Sequence, residues 1–437
     1  MFRTKVLLVW VMIAGLLGLG TMGMGGAVVP LVFDFPVSVA GPLADKVESL
    51  TQRFNDTHPG IEVTPVFAGG YNDTLVKSQA GILAGSPPDI AVLLSTDLFT
   101  LRAQDAIIPL DDFINGDADG QAYIDDFLPA FMANSKTNGQ IWSIPFQRST
   151  PVLFYNKDAF REVGLDPESP PQNWDELVAD GQKLKQVAAD GTVKRWGLEV
   201  PFSGGFIWNF EAFIYQTGGD GPNEVKIVSD DGTEVDFTNQ HVLTALNFFK
   251  DLSTFYKIMP NGNIGFGAVP TDFLAGTVGM IYHSTGSLTF ILSNATFDVG
   301  VAPMPGLSRF GTPTGGGNFY IFKGIPQDHQ QAAWTFIRWM TAPEQVAEWS
   351  LAGGYVASNG SSYQTDLLSN FTATRPEYLV ARDQLQFAHK EFSSFNRVKI
   401  TKILFDQLTR AVLGEVSPEE ALQEAQAQAT KELAAFK

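Results

Sequence analysis

The chain has 437 residues, 44% hydrophobic and 12% aromatic with only 17% charged, enough apolar material for two or three folded domains and too much for intrinsic disorder. Its 29 Lys and Arg face 47 Asp and Glu, a formal charge of −18 that argues against a nucleic acid partner, whose phosphates demand a basic surface. With no cysteine, it has no disulfide framework, thiolate metal site, cysteine nucleophile or cysteine-linked lipid.

Residues 1–27 read as a signal peptide. Arg3 and Lys5 precede the uncharged run Val6–Leu19, and Gly25 and Ala27 are the small residues a signal peptidase needs before its cut. An uncleaved anchor is the alternative, and both place the body in a periplasmic or other extracytoplasmic compartment. No later segment reaches the ~18 uncharged apolar residues of a membrane span. Gly18, Gly20 and Gly23 spell a dinucleotide fingerprint, but one inside the leader, without the strand and helix that give it meaning.

Val28–Phe35 has the length of a buried strand, and Leu43, Val47, Leu50 and Phe54 recur at helical spacing until His58-Pro59-Gly60. Ile61–Val66 reads as a second strand, 71–85 as a helix ended by Pro87-Pro88, and Asp89–Leu94 as a strand buried on both faces. A helix from Asp97 then leads to a strand-like Ala106-Ile107-Ile108, and this alternation predicts a parallel, doubly wound sheet. Further on, Trp334, Ile337 and Met340 mark one buried helix face, and Ser417-Pro418-Glu419-Glu420 is a capping box opening a final helix. No repeat and no long flexible linker separates these elements.

Catalytic and metal signatures are weak. The five histidines are scattered without zinc spacing, and neither a nucleophile elbow nor a phosphate loop is present. Asn115, Asp117, Asp119, Gly120 and Asp126 imitate part of a calcium loop, but an Asp stands where the bidentate Glu belongs, and a solvated acidic turn is the competing reading. No cofactor is expected. Two carboxylates facing a cleft would make a secreted glycosidase, but no cue selects a pair from so many acids.

The stretch Phe146-Gln147-Arg148-Ser149-Thr150-Pro151 through Phe160, continued by Gly164-Leu165-Asp166-Pro167 and Asn173-Trp174-Asp175-Glu176-Leu177, resembles the extracellular solute-binding proteins of carbohydrate ABC importers, most closely their glycerol-3-phosphate-binding branch. Ser49–Asn55, Ser284–Leu288, Pro343-Glu344-Gln345, Gly354-Tyr355 and Pro418–Leu422 extend the resemblance along the chain in the family's order. It implies a periplasmic-binding-protein-like α/β fold of type II, two α/β lobes joined by a hinge, without enzymatic activity. The expected lobes are 28–148 plus 282–322 and 149–281 plus 323–437, with crossings at about 149, near Met280–Tyr282 and near Tyr320–Lys323. It also implies a monomer that hands a carbohydrate or polyol phosphate to the transmembrane subunits of a permease, or that serves a signalling sensor.

Position by position, the resemblance places Tyr71, Ser149, Ser284, Gly316 and Tyr355 at ligand contacts. Elsewhere the family's pattern is rewritten. Its carboxylate appears as Ser95 with Asp97 two residues on, its basic residue as Thr401 with Arg397, Lys399 and Lys402 close by, and its aromatic pair as Ser203 and Phe206 with Trp208 nearby. For a phosphate ligand Arg148, beside Ser149, is the nearest replacement cation, ahead of Lys399 and Lys402, but the missing family cation and the acidic net charge favour a neutral or only partly anionic carbohydrate. Read without the resemblance, Gly315-Gly316-Gly317 marks either a close approach of backbone to a ligand or a plain loop.

Overall fold

The computed structural model describes residues 27–204, 206–218 and 225–437, so the predicted leader and its glycine pattern lie, save Ala27, outside the described residues. Two five-stranded sheets organise the chain. The first runs in the order Ile61–Phe67, Val29–Phe35, Ile90–Leu94, Gly315–Ile321, Ile144–Ser149. The second runs Val299–Ala302, Pro151–Asn156, Val278–Ser284, Val193–Glu199, Gln186–Val187.

The first β-α-β units form as their apolar periodicity demands. Val29 to Phe35 pairs in parallel with Ile61 to Phe67 without a break in register. The intervening helix Leu43–Thr57 buries Leu43, Val47, Leu50 and Phe54, the residues its spacing singled out. Helix Tyr71–Leu83 leads to Ile90–Leu94, whose first four residues are buried. Helix Gln327–Met340 sets Trp334, Ile337 and Met340 against this sheet, and Ser417 caps helix Pro418–Leu433 by accepting the Glu420 N–H.

Three expectations are corrected. The first sheet is mixed, because Gly315–Ile321 inserts antiparallel to both its neighbours. Ala106–Ile108 is no strand; only Ile107 bridges, to Phe322. The lobe boundaries also shift. Val278–Ser284 lies wholly in the second sheet and Leu288 and Ile291 pack in its core, so 282–314 belongs there rather than with 28–148. Helices Gln327–Met340 and Pro343–Gly353 contribute Trp334, Phe336 and Trp349 to the first core, so the start of 323–437 belongs with the first sheet. An apolar run announces that a strand is buried, not which of two equally apolar sheets receives it.

The chain crosses between sheets at Thr150, at Thr312–Thr314, and beyond Tyr355, not at 280–282 or 320–323. The first two crossings are tied together. The Thr150 and Thr312 hydroxyls lie 2.6 Å apart, and Gln384 Nε2 donates to Thr150 Oγ1 (3.2 Å) and Pro151 O (2.8 Å). Thr312-Pro313 pairs in parallel with Ala388-His389 alongside them. These polar groups are buried and satisfied, which fixes where the lobes pivot.

Candidate ligand-binding site

A cleft of about 780 Å³ opens between the sheets, near strand carboxyl ends such as Leu94, Ser149 and Ser284. Of the eleven positions anticipated, Tyr71, Ser149, Phe206, Trp208, Ser284, Gly316, Tyr355 and Thr401 line it. Tyr71, at the start of its helix, donates its hydroxyl to Gln147 Oε1 at 2.9 Å, and burial, with the Tyr355 phenol nearby, pushes its pKa well above the ordinary value. Tyr355 stacks on Trp349 at 5.3 Å, and burial raises its pKa as well. Ser284 Oγ accepts the Gly286 N–H at 3.0 Å, which leaves its own proton to donate.

The opposite wall is aromatic. Phe206 lies 5.9 Å from the ring of Trp208 and 5.3 Å, edge on, from that of Phe266. Trp208 is fixed by an Nε1–H bond to Thr314 O at 2.8 Å, and its indole rests so close to Gly315 that a Cβ there would come within 2.4 Å of the ring. Gly316 has φ +93, and a Cβ on it would sit 1.8 Å from Gln147 O. The glycine run thus provides close approach, but at Gly315 to a tryptophan ring and at Gly316 to the neighbouring strand.

Ser95, Asp97 and Arg148 do not line the cleft. Ser95 is fully buried behind the end of its strand, where its carbonyl accepts from Tyr320 Oη at 3.3 Å. Asp97 is buried too, and its Oδ1 accepts from Arg397 Nε (2.9 Å) and Nη2 (2.7 Å). Burial raises the Asp97 pKa against the pull of Arg397. Arg148 neighbours Ser149 on a strand, where successive side chains face opposite ways. Its guanidinium lies over the Phe131 ring, and Nη1 donates to Gly316 O and Asn318 Oδ1, both at 3.1 Å. Burial lowers its pKa to about 10, against the raising influence of Glu391. Thr401 reaches the cleft, yet its hydroxyl is spent on Arg397 O.

Sequence reading missed Phe266, Asn263 and Glu391, and named Arg397 only as a basic neighbour of Thr401. Arg397, one turn before Thr401 on the same face of helix Arg397–Val412, is the guanidinium on this wall, and both residues line the cleft. Glu391 stands in a segment without periodicity, and burial lifts its carboxyl to about 8 against the opposing pull of Arg148 and Arg397. The calcium-like acids serve the surface and the first core. Asp117 accepts the Trp334 indole N–H, Asp119 pairs with Arg338, and Asp126 receives Ser361. Among the described residues, no group of three or more acids and histidines is arranged to hold a metal.

Two α/β lobes around a hinge, with rings and hydroxyls facing the gap, define a solute receptor of the type II periplasmic-binding-protein class. Residues 49–376 match the family of bacterial extracellular solute-binding proteins, and the chain belongs to that family. It is similar to the sn-glycerol-3-phosphate-binding periplasmic protein UgpB of Escherichia coli K12, 29% identical over 428 residues that cover 94% of each chain. Among solved structures it is similar to UgpB of Mycobacterium tuberculosis in complex with glycerophosphocholine (TM-score 0.78, 24% identity, 94% of this chain and 99% of that one). The cyclic α-maltosyl-1,6-maltose binding protein of Arthrobacter globiformis is similar in fold too (TM-score 0.77, 23% identity, 94% of this chain and 100% of that one). The protein is accordingly a solute-binding component of an ABC importer.

Proposed function

We propose that the cleft captures a polyol-bearing solute with at most one negative charge, a carbohydrate or a glycerophosphodiester, and that the closed, monomeric receptor delivers it to the transmembrane subunits of a permease. The observation that carries this reading is the state of the two cations on the wall. Arg397 is held by Asp97, and Lys402 by Asp406 at 2.9 and 2.6 Å, so neither offers a free charge to a dianion. Tyr71, Phe206, Trp208, Phe266 and Tyr355 instead supply apolar faces suited to the C–H side of a polyol, with Ser149 and Ser284 as hydroxyl partners. The names of the relatives, a glycerol phosphate binder, one in complex with a glycerophosphodiester and an oligosaccharide-binding protein, are consistent with that range.

A receptor rather than a hydrolase is supported by the wall's carboxyls. Asp73 accepts the Gly70 N–H and Asp406 is paired, which leaves Glu391 without the second acid that glycoside cleavage requires. Export through residues 1–27 accords with the family's extracellular description. Among the described residues no helix is long and apolar enough to cross a membrane.

The test is a thermal-shift series with maltose, glycerophosphocholine and glycerol 3-phosphate at low and high salt. A ligand present at about 100 times its Kd stabilises by about 2.7 kcal/mol. Stabilisation by maltose or glycerophosphocholine that survives high salt is the expected outcome. Strong, salt-sensitive stabilisation by glycerol 3-phosphate alone would overturn the charge assignment.

A further inference from the structure

The segment 388–396 runs between the lobes and is clamped to both. On the first side, Asn134 Nδ2 donates to Glu391 O (3.0 Å) and Glu391 N donates to Asn134 Oδ1 (3.1 Å). On the second, Phe392 N donates to Glu211 Oε2 (2.9 Å) and Tyr215 Oη to Lys390 O (3.1 Å). Glu391 is therefore fixed from both lobes while contributing to the cleft wall. Neither of its carboxylate oxygens receives a hydrogen bond from the described residues, and Oε2 is buried.

Charged groups face it from every side. Asp97 and Arg148 come from the first lobe, Arg397 and Glu211 from the second, with the phenols of Tyr71 and Tyr215 beside them. On its own segment, His389 stacks on Tyr215 at 4.4 Å and the Lys390 ammonium lies 5.4 Å from the Phe99 ring. Three buried carboxyls thus share two guanidiniums. One bound proton balances the set, and an anion entering at Arg397 restores the excess of negative charge.

We infer that Glu391 is a specificity-determining residue of the cleft: it carries a proton when an anionic ligand is bound, so that capture of an anion is coupled to proton uptake and capture of a neutral solute is not. The inference rests on the reading of the cleft as a polyol site and deepens it. Burial already raises the Glu391 carboxyl to about 8, and Glu211, its buried neighbour, is displaced upward for the same reason, with Glu391 adding to the shift. A ligand anion beside Arg397 favours the protonated form further. The sign follows: anion binding is strong below about 8 and weakens as pH rises through that value, approaching about tenfold per pH unit.

Calorimetry of the mature protein with glycerophosphoglycerol, whose single phosphodiester charge is constant over this range, and with maltose tests the coupling. Both probes are measured at about pH 7 and about pH 9, in two buffers of different ionisation enthalpy. The expected result with glycerophosphoglycerol is a Kd weakened about tenfold at the higher pH, with proton uptake there, where the free carboxyl is ionised, and little at the lower pH, where it already holds its proton. Maltose should show neither effect, and Glu391→Gln should abolish both for the phosphodiester. No uptake at the higher pH in the unaltered protein, or the same pH dependence in Glu391→Gln, overturns the inference. If neither probe binds, the ligand reading fails by itself. The carboxyl is then judged without ligand by infrared difference spectra at neutral pH, where a protonated carboxyl band lost in Glu391→Gln supports its role and the absence of that band refutes it.

Discussion

Tyr355 is held more tightly than a ligand-stacking ring needs to be. It stacks on Trp349 and presses against Gly286, where an added Cβ would come within 2.9 Å of the phenol carbon Cζ. Its replacement by Ala should weaken ligand binding by ~1–3 kcal/mol, and it should also open a core void costing about 3–5 kcal/mol of stability. Tyr355→Phe separates the two effects, since it keeps the packing and removes only the hydroxyl. We expect near-normal denaturant unfolding for that variant, with a loss of about 0.5–1.5 kcal/mol in binding; unchanged affinity in both variants would remove Tyr355 from the site. Arg148→Ala belongs to the fold instead. It strips partners from Gly316 O and Asn318 Oδ1 and uncovers the Phe131 ring, so about 2–4 kcal/mol should vanish from unfolding stability. The salt dependence of ligand binding should not change. Arg148 and Ser149 also mark the limit of what the sequence discloses at this scale. Their motif is legible, but strand alternation sends one side chain to the cleft and the other into the interior, and only the pairing partner Gly315–Ile321 fixes which.

Among elements, the strand Gly315–Ile321 performs two tasks at once. Its far half, Asn318 to Ile321, is buried between two strands, while its near half brings Gly316 to the cleft and Gly315 under the Trp208 ring. Gly316→Ala combines an unfavourable φ of +93 with a collision against Gln147 O, and should cost about 3 kcal/mol or more. Thermal melts would register it, and a variant as stable as the parent would mean the strand relaxes there without penalty. Helices Leu43–Thr57 and Pro418–Leu433 were legible because periodicity and caps are local signals. The antiparallel insertion of Gly315–Ile321 and the lobe membership of helix Gln327–Met340 were not. Both are settled by long-range pairing between segments hundreds of residues apart, and nothing in either segment names its partner.

For the whole molecule, the balance between open and closed lobes rests on few contacts. At the pivot the Thr150 hydroxyl bonds that of Thr312 and accepts from Gln384. Away from it the lobes meet through Asp97 and Arg397, Ser393 Oγ and Thr96 O at 3.0 Å, and the rings of Phe99 and Phe395 at 5.3 Å. Asp97 follows a strand of the first sheet, whereas helix Arg397–Val412 packs Ile400, Leu404 and Leu408 into the second core, so their ion pair spans the two lobes. Asp97 is buried and Arg397 partly so, and removing one partner leaves the other charge uncompensated. Asp97→Asn keeps the shape and removes one charge, which leaves the Arg397 guanidinium to draw the lobes together less strongly. Every ~1.4 kcal/mol taken from the closed form shifts the closed-to-open ratio about tenfold. Small-angle scattering of the ligand-free variant should therefore show a larger radius of gyration than the unaltered protein, and saturating ligand should compact both toward the same monomeric value. Identical ligand-free profiles would show that the pair does not hold the lobes, and an obligate dimer in either sample would contradict the monomeric receptor.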